Sequence, residues 1–352
     1  MAAGRRFNVV KRINLALQGG GAHGAFTWGV LDTLLRDEDV EIAGISGTSA
    51  GALNAAALKA GYVADGRDGA LRNLTWFWEQ VGAITDADML PWFSTFAPSA
   101  PLVAKAMEYS PAYAALDLTT RLFSPYVYGP MIRNPLDQIV RTFDYDKVCD
   151  DIGPQLHICA TNVRSGKIRV FSGNEISPEA ILASACLPTL FQAVELDDPK
   201  TGKREAFWDG GYSGNPALFP LFTNDLPDDI LVVNINPLHR DTLPMDPQSI
   251  TNRVNEISFN SSLLREMRAI HFVQRLLRDG ALMPGTMKNV LVHMISDDAL
   301  MNTLNVATKT IPSPVVLQQL KEAGQSAAKV FLSDHKDDLN TRGTVDLEAM
   351  FS

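Results

Sequence analysis

Ser49 stands at the centre of Gly47-Thr-Ser-Ala-Gly51, a G-x-S-x-G pentapeptide between the apolar run Glu41–Ile45 and the alanine-rich stretch Ala50–Leu58. A serine on a sharp strand-to-helix turn is held in a strained backbone conformation, and flanking glycines admit the chain that crosses it. The dipole of the following helix is directed at the serine oxygen. That setting suits a nucleophile. A second junction, Gly19-Gly-Gly-Ala-His-Gly24, places consecutive glycines at a helix start, where unobstructed amides facing one centre make an anion site. Three readings compete for it: an oxyanion hole for acyl transfer, a pyrophosphate loop, since Gly19, Gly21 and Gly24 fit G-x-G-x-x-G, and plain helix–strand packing. The dinucleotide reading wants an acid at the end of the second strand; here Glu41 precedes that strand and the serine turn follows it. A nucleotide P-loop fails for lack of G-K-[ST]. The oxyanion hole is the reading adopted, built from Gly19, Gly20, Gly21 and Ala22.

The third piece is Asp209-Gly-Gly211, after a strand ending at Trp208. An isolated Asp-Gly pair reads as a solvated turn. Beside a serine nucleophile and an anion loop it reads as the base, because a buried carboxylate can take the hydroxyl proton directly. Gly24, Gly47, Gly51, Gly210 and Gly211 are the supporting positions, each allowing a close backbone approach. No His, Cys, Asp and Glu grouping has metal-ligand spacing, and this chemistry calls for neither metal nor cofactor.

These residues need elements to hold them. Apolar runs alternate with helix-like stretches through glycine turns: Ile13–Leu17 then Ala25–Arg36, Glu41–Ile45 then Ala50–Gly61. That order predicts parallel β-α units of an α/β sheet. Further strands are expected at Leu156–Ala160, Lys167–Phe171, Ala193–Leu196, Arg204–Trp208, Ile230–Ile235 and Val290–Ile295. Long helices are expected at Asn252–Asp279 and Val315–Leu332. Residues 84–135 differ in composition, with Pro91, Pro98, Pro101, Pro111, Pro125, Pro130 and Pro135 among aromatics such as Trp92, Phe93 and Tyr126. Short helices broken by prolines are expected there, as a cap-like insertion lining an acyl-chain pocket, with Trp92 and Phe93 toward a lipid surface. Because Ser49 and Asp209 must meet across 160 positions, one domain over 13–335 is expected, with a basic N-terminal tail at 1–12 and a C-terminal tail at 336–352.

Composition narrows the class. With 352 residues, 46% hydrophobic and 20% charged, the chain can bury a sizeable core and is not a disordered polymer. A net charge of −9 leaves no basic excess for nucleic acid. Cys149, Cys159 and Cys186 lack paired spacing and read as reduced thiols, so a cytoplasmic protein is expected, at most peripheral to a membrane. The start of the chain has no secretory h-region, and the uncharged stretches are shorter than a membrane span.

Together the three motifs resemble the patatin-like phospholipase family, from the glycine loop through Asn215. Ala183-Ser-Ala-Cys-Leu-Pro-Thr-Leu-Phe191 is similar to the family's small-residue and proline block before the aspartate. The resemblance implies a three-layer α/β/α fold with a mainly parallel central sheet. It also implies a Ser/Asp dyad rather than a triad: Ser49 as nucleophile, Asp209 as base, and the amides of Gly20, Gly21 and Ala22 in the oxyanion hole. The implied substrate is a phospholipid, lysophospholipid or other lipid ester. One departure is His23, where most members carry Arg or Lys, which puts a fixed positive charge there in doubt. Two alternatives stay open. A conventional α/β-hydrolase triad would add His239 after Ile230–Ile235, although the serine follows only the second strand. A non-catalytic lipid-binding module would keep the fold without the reaction.

Overall fold

The computed structural model describes residues 10–86, 99–108, 110, 118–120, 122–128, 134–283 and 285–352. Along the chain run β1 (Lys11–Leu17), α1 (Gly24–Arg36), β2 (Val40–Thr48), α2 (Ala50–Asp86), α3 (Ala100–Glu108), α4 (Pro125–Tyr128), α5 (Leu136–Arg141), α6 (Tyr145–Val148), β3 (Gln155–Asn162) and β4 (Ile168–Ser172). Then follow α7 (Pro178–Ser184), β5 (Val194–Asp198), β6 (Lys203–Asp209), β7 (Asp229–Val233), α8 (Pro247–Arg278), β8 (Leu291–Ile295), α9 (Asp298–Met301), α10 (Val306–Thr310), α11 (Pro314–His335) and α12 (Leu347–Phe351).

A strand that is buried on both faces belongs inside a sheet covered on both sides. From Ile13 onward every residue of β1 is buried. Ile13, Leu15 and Leu17 pack on one side with Phe26, Leu31 and Leu34 of α1 and Leu317 and Leu320 of α11. Ala16, Ile230 and Val232 meet Leu263, Met267 and Ile270 of α8 on the other. The result is a three-layer α/β/α fold around one sheet ordered β5-β6-β3-β2-β1-β7-β8, with β4 paired to β3. The run from β3 to β8 is parallel, while β4 and β6 are antiparallel to β3 and β5 to β6.

Register brings the functional ends together. Along residues 157–161 one edge of β3 is occupied by β4. Consequently β2, opposite residues 155–159, and β6, opposite residues 160–162, share the other edge and run toward each other. Thr48 faces Cys159 and Asp209 faces Ala160, so the last residues of two strands distant in sequence become neighbours. On the other flank of β2, Leu17 pairs with Gly47, which puts the loop after β1 beside the turn after β2. The connectivity reverses at β1, with β2 on one side and β7 on the other, and such switch points open ligand crevices at the carboxyl ends of strands.

Several expected boundaries move. The helix expected to stop at Gly61 continues to Asp86 and only kinks at Asp65 and Gly66, where the backbone leaves helical angles. Gly61 does not end it, because that position packs against the backbone of Gly69 across the kink. Strand β1 takes in Lys11 and Arg12, expected in the tail, since their backbones pair with Val40 and Glu41. Residues 336–352, expected as a C-terminal tail, pack on the body: Leu339 and Leu347 are buried, and the Asn340 side chain bonds both the N–H and the C=O of Arg12 at 3.1 and 2.7 Å. In the insertion, α3 turns Ala100, Val103, Ala104 and Met107 inward, and Asn305 donates to the Ala104 carbonyl at 3.0 Å. The expectations for Trp92 and Phe93 lie outside the described residues, as do Pro91, Pro98, Pro111 and Pro130. Among the described residues no helix is long and apolar enough to cross a membrane, and no cluster of three or more His, Cys, Asp or Glu could hold a metal ion.

Candidate active site

Ser49 joins β2 to α2 with a φ of 54°, the left-handed region that side chains other than glycine seldom occupy. Such a backbone costs on the order of 1–3 kcal/mol and persists only where its surroundings enforce it. The enforcement is visible. The Ser49 carbonyl accepts the Leu53 amide at 3.0 Å, opening α2, and the Ser49 amide donates to Ser184 Oγ at 2.8 Å. Ser184, fully buried at the end of α7, donates in turn to the Cys159 carbonyl at 2.6 Å. One hydroxyl therefore ties the serine turn to β3 at the place where β2 and β6 meet. Gly51 lets the turn close: a Cβ there would lie 2.1 Å from the Leu17 carbonyl oxygen. Gly47 packs on Gly51, Gly24 on Ala50, and Gly210 on the Cys159 carbonyl.

Asp209 ends β6 and is buried. Its amide donates to the Cys186 carbonyl at 2.8 Å and its carbonyl accepts Thr161 Oγ1 at 2.8 Å, which fixes the backbone. The carboxylate accepts the Gly211 amide at 2.7 Å, and the Ser49 side chain is near enough to influence its charge. Burial pushes the carboxyl pKa up to about 6, while the Gly211 hydrogen bond and the neighbouring Ser49 hydroxyl pull the other way. The group is thus ionised at neutral pH yet basic enough to accept a proton.

The glycine loop lies against Ser49, since a Cβ on Gly19 would fall 2.7 Å from Ser49 Cβ. The Gly19 amide, expected to face the oxyanion, is instead committed to Asn215 Oδ1 at 2.6 Å. The sequence shows a glycine there but not the acceptor that reaches it from beyond β6. A single turn of 3₁₀ helix covers Gly21–His23 just before α1, and the opening amides of a helical turn have no intrahelical acceptor. Gly20, Gly21 and Ala22 are the amides this leaves at the loop. His23 is buried with Nε2 bonded to Thr308 Oγ1 at 2.8 Å, and burial, then the charge of Lys309, holds its pKa well below the usual imidazole value. It supplies no positive charge at the loop.

His239 is not brought to this site. Its side chain is 80% exposed and bonds Asp241 at 3.1 Å. Residues that sequence reasoning missed are Ser184, Gln18 and Asn236. Gln18 Oε1 accepts the amides of Ile235 and Asn236 at 2.9 and 3.1 Å, binding the loop after β1 to the segment after β7. Ser184 lay in the small-residue block but carried no mark of its role. Replacing it with alanine leaves a buried N–H and a buried C=O unpaired, so Ser184→Ala should lower stability by about 1–3 kcal/mol per group. Urea unfolding checks that loss, and kcat for ester hydrolysis should fall with KM little changed.

Residues 15–222 match the patatin-like phospholipase family, a span that takes in the glycine loop, Ser49 and Asp209. No curated protein sequence matches the chain. Among solved structures it is similar to VipD from Legionella pneumophila, at 15% identity and a TM-score of 0.41, over 92% of this chain and 67% of that one. The family match reaches across more than half of the sequence and both halves of the Ser49–Asp209 pair, and the chain belongs to the patatin-like phospholipase family.

Proposed function

We propose that the protein is a serine acyl hydrolase cleaving carboxylic esters of lipids, of phospholipase A or lysophospholipase type, through a Ser49/Asp209 dyad. The observation that carries this reading is Ser49, held in a left-handed turn at the end of β2, beside the buried Asp209 carboxylate that ends β6 and against the glycine loop. In the first half-reaction Asp209 takes the hydroxyl proton as Ser49 Oγ bonds to the ester carbonyl carbon. The carbonyl oxygen becomes the oxyanion, received by the amides of Gly20, Gly21 and Ala22. Collapse breaks the ester C–O bond, and the alcohol or lysolipid leaves with the proton from Asp209. Water then attacks the acyl-serine with Asp209 as base, releasing the fatty acid and restoring Ser49. The substrate places the protein at a lipid surface, as a peripheral visitor.

Phosphatidylcholine and lysophosphatidylcholine in mixed micelles test the substrate class, with fatty acid release as the readout. Hydrolysis is expected for the wild type, and His239→Ala should keep at least about half of the rate, because that ring is solvated and bonded to Asp241. Loss of activity on His239→Ala in a folded protein favours a triad instead.

A further inference from the structure

The glycine loop is held by a residue some 290 positions away. The Gly19 carbonyl accepts Asn236 Nδ2 at 2.8 Å, and the same nitrogen donates to Gln18 Oε1 at 3.1 Å. Both hydrogens of the Asn236 amide are thereby used on acceptors of the loop. Its oxygen must then face a donor, and that donor is Lys309 Nζ, at 3.0 Å. An asparagine amide is close to symmetric in shape, so its orientation is set by which partners donate and which accept. Lys309 also touches the loop from its other end. Gly21 has a φ of 58°, and a Cβ built there would lie 2.2 Å from the Lys309 carbonyl oxygen. Helix α10 therefore straps the loop twice, by backbone over Gly21 and by ammonium behind Gly19.

We propose that Lys309 is a positioning residue of the oxyanion loop: its ammonium fixes Asn236, and through it Gly19, and adds positive charge behind the amides that receive the oxyanion. This rests on the acyl-hydrolase reading of the same site. The charged groups around the ammonium are few. Glu256 of α8 faces it, itself paired with Arg240 at 2.6 Å and Arg253 at 3.3 Å. His23, beside α10, is held neutral, and Lys105 on α3 is exposed. Burial draws the Lys309 pKa down to about 8, Glu256 pulls it up, and Arg240 pulls it further down. A lysine with a lowered pKa is charged below that value and loses its charge as pH rises through it, so the strap should weaken on the alkaline side.

The test compares Lys309→Met and Lys309→Arg with the wild type. On p-nitrophenyl butyrate, kcat of Lys309→Met should fall about 10- to 100-fold with KM changed less than about twofold, the pattern of lost transition-state positioning. Lys309→Arg should retain most of kcat and lose the decline that the wild type shows above about pH 8, since arginine stays charged. Independently of activity, the amide resonances of Gly19, Gly20 and Gly21 in glycine-labelled wild type should shift with a common midpoint near pH 8 and stay still in both variants. Wild-type kcat in Lys309→Met overturns the proposal, as does unchanged titration of the glycine amides in either variant. If Lys309→Met does not fold, the Lys309→Arg profile and amide titration decide alone. Should Ser49→Ala prove as active as wild type, the acyl-hydrolase reading fails, and the amide titration still decides whether Lys309 holds the loop.

Discussion

Asp209→Asn is expected to reduce kcat for ester hydrolysis about 10²- to 10⁴-fold, with a folded protein and little change in KM. The substitution keeps the size of the side chain and an oxygen able to accept the Gly211 amide, so the turn after β6 should survive. What it removes is the proposed base. An amide cannot take the Ser49 proton, and His239 is on the surface with Asp241 rather than at hand to replace it. On the proposed dyad the same carboxylate should set the acid limb of the wild-type pH profile. Burial raises its pKa to about 6, and the base works only when ionised. Consequently kcat/KM should hold at neutral pH and fall about tenfold per unit as pH drops well below 6. An acid limb centred near 4, the value of a solvated carboxyl, contradicts a buried Asp209 as the base. Measured rates from pH 4.5 to 8 on a soluble p-nitrophenyl ester decide it.

The parts of the fold that could be read from sequence are those where one physical rule dominates. β1 and β2 are short, mostly apolar stretches ended by glycine turns and followed by helix-like stretches, a pattern that an inner strand of an α/β sheet satisfies. α8 was read to its stop, with Gly280 in the left-handed region past the end, but it begins before the expected Asn252, at Pro247, with Asp246 capping the Ser249 amide. The length of α2 was hidden for the opposite reason. Gly61 and Asp65-Gly66 look like stops, yet the former is a packing contact and the latter only a kink. α10 is five residues long, and its sole mark is the reciprocal cap between Asn305 and Thr308, too short a signal to stand out.

At the site, Ser49 and Asp209 were legible because their neighbours are glycines, and glycines are needed where backbones cross. That they should meet was expected, but how they do so was not legible. It depends on β2 and β6 sharing one edge of β3, a matter of register across 160 residues. Nor could sequence say which glycine amides were still unpaired: Asn215 takes Gly19 from the set. Buried amides such as Gln18 and Asn236, and the hydroxyl of Ser184, look no different in sequence from solvated ones.

The second large effect concerns the proposed nucleophile. Ser49→Ala removes the only atom that forms a bond to the substrate in the proposed reaction, while the left-handed turn, the Ser184 bond to its amide and the glycine loop all remain available. Binding and oxyanion stabilisation alone leave only a small residual rate. The most direct measurement is intact-protein mass during turnover of p-nitrophenyl butyrate, taken on wild type and Ser49→Ala alongside release of p-nitrophenol. The wild type should show a butyryl adduct on the peptide containing Ser49, and Ser49→Ala should show neither adduct nor hydrolysis above about one thousandth of the wild-type rate. Wild-type hydrolysis by Ser49→Ala, or an adduct at another residue, would contradict the dyad.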